Sequence, residues 1–253
     1  MPNSTPLVRL EIVAPRATIT LDSRDNRNAL SRQLVDELTH HLEVASTDAS
    51  VRAILIAHTG STFCSGADMA EALDEGMEEG SKRLLALLAA VASASVPVVA
   101  VVQGHVRAGG MGLVGACDFA VSSSGATYAF TEVRLGLAPA IISLTTRFRM
   151  TDRDAQRKYL TGATFDGFEA ARSGLVTEAC EPDQVDHAVD DLVDRLAKAS
   201  RQGLAETKRL LNRPMLERIA ADGPGLARWS AELFASEEAR SAMAAFRSRN
   251  VPR

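Results

Sequence analysis

Residues 102 to 118, VQGHVRAGGMGLVGACD, place five glycines in an otherwise apolar run directly after the strand-like VPVVAVV. Glycine weakens a helix or strand, so such a cluster is expected where the backbone must turn sharply or come close to another group. The run therefore predicts a buried strand, a tight turn and a helix whose first N–H groups lie bare. Unpaired N–H donors and the positive end of the helix dipole favour an anion there, and a carbonyl oxygen that gains negative charge is one such anion. This describes half of an oxyanion hole. A second half is expected from another strand-to-loop turn, and AHTGSTFCSGADM (residues 57–69) supplies one directly after the strand-like residues Val51 to Ala57.

Two phosphate-binding alternatives fit less well. Gly110-Met-Gly112-Leu-Val-Gly115 matches the spacing G-x-G-x-x-G, but a dinucleotide fingerprint belongs to a first βαβ unit, and here about 95 residues precede it. The Gly60 to Gly66 segment is one residue too long for a P-loop and no lysine follows.

The remaining pattern bounds the fold. Alternation from Leu7 to Leu21 predicts two strands joined at Ala14-Pro-Arg16. Leu34, Leu38 and Leu42 predict a helix to about Val44, with Asn28 as its cap, and Leu84 to Val91 form the apolar stripe of a second helix over Ser81–Ala94. Strands alternating with helices indicate an α/β domain with a mainly parallel sheet. Beyond Thr151 the pattern becomes helical, over Asp152–Leu160, Asp166–Ser173, Asp183–Ala199, Gly203–Asn212 and Gly225–Arg247. The acidic run from Glu71 to Gly80 is expected to be a mobile, solvated flap.

In a chain of 253 residues with 32 acidic and 28 basic side chains, a net charge of −4 and no long basic run leave no footprint for nucleic acid or an anionic membrane. No run approaches the roughly 18 apolar residues of a membrane span, and no basic start with an apolar core marks a signal peptide. Three widely spaced cysteines (Cys64, Cys117, Cys180) suggest neither a disulfide framework nor a zinc site, and the five histidines form no ligand set. A cytoplasmic protein without a metal is expected.

Several motifs in order carry a resemblance that spans nearly the whole chain. Phe63-Cys-Ser-Gly-Ala-Asp-Met69 resembles the F-C-x-G-A-D loop of the crotonase (enoyl-CoA hydratase/isomerase) superfamily. Gln103-Gly104, Ala108-Gly-Gly110 and Ala116-Cys-Asp118 resemble its N-G-x-x-x-G-G-G-x-x-L-x-x-x-C-D signature. Residues Phe130 to Pro139 are similar to F-x-x-P-E-x-x-L-G-x-x-P, Gly162 to Val176 to a segment closing A-x-x-x-G-L-V, and Phe234 to Arg249 to the closing helix.

The resemblance implies an α/β crotonase-like ββα spiral core over residues 1–190 and a C-terminal helical trimerisation region over 191–253. It implies an acyl-coenzyme A thioester substrate, with coenzyme A as part of the substrate and no separate cofactor, and a homotrimer or hexamer. Trp229, Leu233 and Phe234 would suit the packing of such an assembly. The matching oxyanion-hole donors are the main-chain N–H groups of Ala67 and Gly109. Of the two glutamates that the family's hydratases use, the second corresponds to Glu132, whereas Gly112 stands where the first is expected. Asn28, Ala29, Ser65, Asp68 and Met69 match segments bordering the coenzyme A moiety. Arg107, where the family is commonly apolar, is expected to pair with a substrate carboxylate, with Glu132 or Asp68, or across a subunit interface. Hydration of an enoyl-CoA, branched or methylglutaconyl-like, is the favoured activity. A Δ3,Δ2-enoyl-CoA isomerase using one glutamate, or an acyl-CoA binder without activity, are the alternatives.

Overall fold

A computed structural model describes residues 5–75 and 77–249. The expected hairpin forms from β1 (Val8–Val13) and β2 (Arg16–Leu21), and α1 follows over Arg32–Thr47. Its cap is Ser31, whose side chain accepts from Leu34 N, and not Asn28. Asn28 instead is fully buried: its Oδ1 accepts from Ser23 N, and its Nδ2 donates to the carbonyls of Thr59 and Thr62 at 3.2 and 2.7 Å. A side-chain amide can satisfy three separate main-chain groups at once, so it ties two loops together where a cap would bind only one helix end.

The chain then winds in repeated turns, each giving one strand to a large sheet and the next to a small one. β3 (Ala53–His58) precedes β4 (Thr62–Cys64), β5 (Val98–Val102) precedes β6 (His105–Arg107), and β7 (Phe119–Ser123) precedes β8 (Thr127–Ala129). The small sheet is completed by β9 (Phe165–Asp166) and the large one by β10 (Glu178–Cys180). The orders are β1-β2-β3-β5-β7-β10 and β4-β6-β8-β9, parallel except at the β1–β2 and β8–β9 pairs. This repetition is a spiral of ββα turns.

Helices supply the return paths: α2 (Met69–Glu75) and α3 (Met77–Ser93) between β4 and β5, and α4 (Gly109–Ala116) between β6 and β7. The Glu71–Gly80 run is thus helical among the described residues, with Glu78 and Glu79 exposed. The glycine-rich helix follows β6 of the small sheet and not β5 of the large one, and the turn lies well inside the spiral and not in a first βαβ unit.

Alternate residues of the large sheet serve two cores, as a period of two demands. Ile54, Ile56, Val98, Ala100 and Val102 enter the main core with Leu34, Leu38, Leu87 and Leu88. Ala53, Leu55, Val99 and Val101 face Val185, Val189 and Val193 on the opposite side. These valines belong to α8 (Val185–Ala197), which is reached through α5 (Ser143–Thr146), α6 (Asp152–Thr161) and α7 (Gly167–Ser173). Residue 190, the expected boundary of the core, lies inside α8.

The last two elements differ from expectation. Residues 201–235 form one helix, α9 (Arg201–Ala235), with Pro214 and Pro224 inside it, and α10 (Glu237–Arg249) follows. Each interior proline costs about 3 kcal/mol in a helix, but Met215, Ile219 and Ala227 are buried, with Met215 and Ile219 packed beside Ala92 of α3 and Leu144 of α5. Burying Met215 and Ile219 yields roughly 1.5 to 3 kcal/mol apiece, which offsets much of that cost and leaves the rest to the other tertiary contacts of the helix. A buried polar node pins the same helix. Lys208 Nζ lies 2.7 Å from Asp118 Oδ2 and donates to Val91 O and Val96 O, and Asn212 Nδ2 donates to Asp118 Oδ1 and Ala92 O. None of the described helices is long and apolar enough to cross a membrane.

Candidate active site

Because β4 and β6 are parallel neighbours, the turns that follow them leave the small sheet side by side. Their contact is close. Gly66 has φ +101, and a Cβ on it would lie 2.7 Å from Ala108 Cβ and 3.3 Å from Gly109 N. Ala108 itself takes φ 45 and ψ −118, an unusual conformation for a residue with a side chain. Strain of this kind persists where surrounding packing enforces it, and here Leu30 N donates to Gly66 O at 2.8 Å while Leu30 Cδ1 abuts Gly109. Among the described residues, neither the Ala67 N–H nor the Gly109 N–H has a hydrogen-bond partner. Gly109 opens α4, so its donor also sits at the positive end of the helix.

Ala67 and Gly109 line a cavity of about 90 Å³ that Glu132 lines from the other side of the chain's fold. Glu132 stands on a short 3₁₀ turn, Thr131–Leu135, directly after β8. The turn is locked because the Glu132 carbonyl accepts from both Gly136 N and Leu137 N, with Gly136 in the left-handed region at φ +67. Its carboxylate Oε2 is shut off from solvent and unpartnered. Burial pushes the carboxyl up from the ordinary 4.5 to about 7, and the residue's own backbone N–H pulls weakly the other way. The group therefore exchanges protons near neutrality.

The expected second carboxylate position is closed. A Cβ on Gly112 would lie 2.7 Å from Ile142 Cγ2 and 3.3 Å from Leu88 Cδ1, so apolar side chains fill that space and Thr145 Oγ1 ties α5 to the Gly112 carbonyl at 2.9 Å. Gly112 is a packing glycine outside the cavity wall.

The other expected residues separate into two groups. Asp68 lines the cavity and caps α2, accepting from Ala70 N and Glu71 N, while its Oδ2 accepts from Asn26 Nδ2. Asn28, Ala29, Ser65 and Met69 lie outside the wall, Asn28 and Ala29 being buried and Met69 being exposed. Arg107 is also elsewhere. Its guanidinium donates to Val106 O at 2.9 Å, Thr127 O at 2.6 Å and Thr127 Oγ1 at 2.9 Å, and it makes no ion pair with Glu132 or Asp68. A side chain that leaves the end of β6 next to β8 finds carbonyls of the small sheet before it can reach the cavity. Of the residues expected to suit an assembly, Phe234 lines the cavity and Trp229 is exposed.

Sequence reading missed Ser81, which lines the cavity with its hydroxyl buried and unpartnered. One signal pointed to it: Ser81 is a polar residue three and four positions before Leu84 and Leu85, on the apolar stripe of α3.

Comparison with known proteins places the chain in a family. A family model described as enoyl-CoA hydratase/isomerase matches residues 12–253. The chain is similar to a crystal structure of an enoyl-CoA hydratase from Mycobacterium avium, 45% identical, with a TM-score of 0.91 over 98% of this chain and 99% of that one. It is also similar to a candidate enoyl-CoA hydratase from Mycobacterium avium paratuberculosis K-10, 47% identical with a TM-score of 0.92 over 97% and 98%. The short-chain-enoyl-CoA hydratase of Clostridium acetobutylicum is 26% identical over 94% of each chain.

Proposed function

The chain belongs to the enoyl-CoA hydratase/isomerase family, and from that premise we propose that it hydrates an enoyl-CoA with a single carboxylate, Glu132. The substrate would be an acyl-CoA thioester whose carbonyl oxygen accepts from the main-chain N–H groups of Ala67 and Gly109. The observation that carries this reading is the buried, unpartnered Oε2 of Glu132 in the wall of the cavity that the two bare donors also line.

In the proposed step, the Glu132 carboxylate takes a proton from water as the water oxygen bonds to Cβ. The electrons of the double bond move to the thioester oxygen, giving an enolate held by the two N–H groups. The protonated Glu132 then returns a proton to Cα, and the thioester carbonyl reforms. A carboxyl poised at about 7 is suited to both halves of this exchange. Each preorganised donor of this type is worth roughly 3 to 4 kcal/mol in the barrier. Because the donors belong to the backbone, substitutions at Ala67 or Gly109 act by displacing them.

The filled space beside Gly112 supports a second reading, a Δ3,Δ2-enoyl-CoA isomerase, in which the same carboxylate moves one proton between two carbons and no water is held. The exposed Leu210, Leu211 and Trp229 of α9 support assembly of this chain into a trimer or hexamer.

Crotonyl-CoA, a 3-enoyl-CoA and methylglutaconyl-CoA, followed by the absorbance of the conjugated thioester with wild type and Glu132→Gln, separate the readings. Loss of conjugation that the substitution abolishes supports hydration; a gain from the 3-enoyl substrate alone supports isomerisation. Equal turnover by both proteins, or binding without turnover by wild type, overturns the assignment of Glu132.

A further inference from the structure

Ser81 Oγ and Glu132 Oε2 are the buried side-chain oxygens without a partner among the described residues, and both belong to the wall of the same cavity. The second is explained by the proposed chemistry. The first is not. A serine in a helix can return its hydroxyl to the carbonyl four residues back, which costs little, yet Ser81 makes no such bond although only 2% of its surface is exposed. The cavity wall sets apolar side chains such as Leu84, Ile142 and Phe234 beside Asp68, Glu71 and Glu132, and none of the described groups pairs with the Ser81 hydroxyl. An alanine would avoid the cost of lost hydration that an unsatisfied buried hydroxyl carries, unless something in the cavity engages that hydroxyl.

We infer that Ser81 is a specificity-determining residue whose hydroxyl engages a neutral oxygen, hydroxyl or keto, carried by the acyl group of the thioester. This rests on the reading of the cavity as an acyl-CoA site. A neutral group is favoured over a carboxylate because a lone hydroxyl does not neutralise a buried charge. The arginine in the wall, Arg83, already faces Glu71 at 3.9 Å.

The test compares paired ligands. Calorimetry measures the binding of butyryl-CoA against 4-hydroxybutyryl-CoA, and of pentanoyl-CoA against 5-hydroxypentanoyl-CoA, to wild type and Ser81→Ala. Wild type is expected to favour one hydroxylated ligand by about tenfold, the value of one well-made hydrogen bond, and Ser81→Ala to lose that ratio while binding the plain ligands as well as before. A purely structural role would weaken all four ligands alike and overturn the inference, as would a wild type without preference at either position. Absence of binding by all four acyl-CoA ligands would overturn it too, and would refute the acyl-CoA reading itself. Absence of enoyl-CoA turnover with the preference intact would instead refute the proposed activity alone.

Discussion

Replacing Glu132 by glutamine should stabilise the protein by an amount that grows as pH rises from about 4.5 to 7 and then holds. The carboxyl is near its ordinary 4.5 in the unfolded chain and about 7 in the folded one, because burial disfavours the charge. Below pH 4.5 both states hold the proton, and Glu132 costs nothing relative to glutamine. As pH rises from 4.5 to 7 the unfolded chain releases its proton before the folded one does, so wild-type stability falls through this window and levels off above 7. The difference corresponds to about 3 kcal/mol, a substantial part of the 5 to 15 kcal/mol that typically holds a domain together. Urea denaturation of wild type and Glu132→Gln at pH 5, 6, 7 and 8 would measure it. The stability gap should open steadily toward pH 8, and other titrating groups, present in both proteins, cancel in the comparison. Parallel profiles, or a gap that widens toward acid, would refute the claim that Glu132 is held in a site that resists its charge. An enzyme that keeps such a group tolerates instability for the sake of a proton donor and acceptor near neutrality.

Two further substitutions probe the scaffold. Gly66→Ala places a Cβ 2.7 Å from Ala108 Cβ at φ +101, so it should cost on the order of 1 to 3 kcal/mol and, by parting the two turns, lower kcat about 100-fold; thermal melting and steady-state kinetics check both, and unchanged kcat would separate the turns from the chemistry. Lys208→Met removes the ion-pair partner of the part-buried Asp118, leaving Arg149 as its remaining cation, and should destabilise by up to about 3 to 5 kcal/mol, with much of the loss recovered when Asp118→Asn is added, as chemical denaturation of the single and double variants would report.

The two turns and Glu132 were legible because main-chain donors require small residues at fixed places, and the local motif order survives folding. Ser65-Gly66-Ala67 and Ala108-Gly109 could be matched without knowing what lies opposite them. Arg107 could not, since its direction depends on Thr127 across the small sheet, and neither could Asn28, whose amide joins Ser23, Thr59 and Thr62. Nor did residues 201–235 read as one helix, because Pro214 and Pro224 are local interruptions overridden by tertiary contacts, the burial of Met215 and Ile219 among them.

The amino-acid order alone was enough for the alternation of strand and helix, the places where the backbone is bare, and the position of Glu132 in its motif. Folding settled what fills the space around them: Ile142 and Leu88 against Gly112, and the unpartnered hydroxyl of Ser81 in the same cavity wall as Glu132. Local pattern specifies dihedral preference and which face of an element is apolar. Side-chain satisfaction is a relation between residues far apart in the chain, and it is settled only when those residues meet.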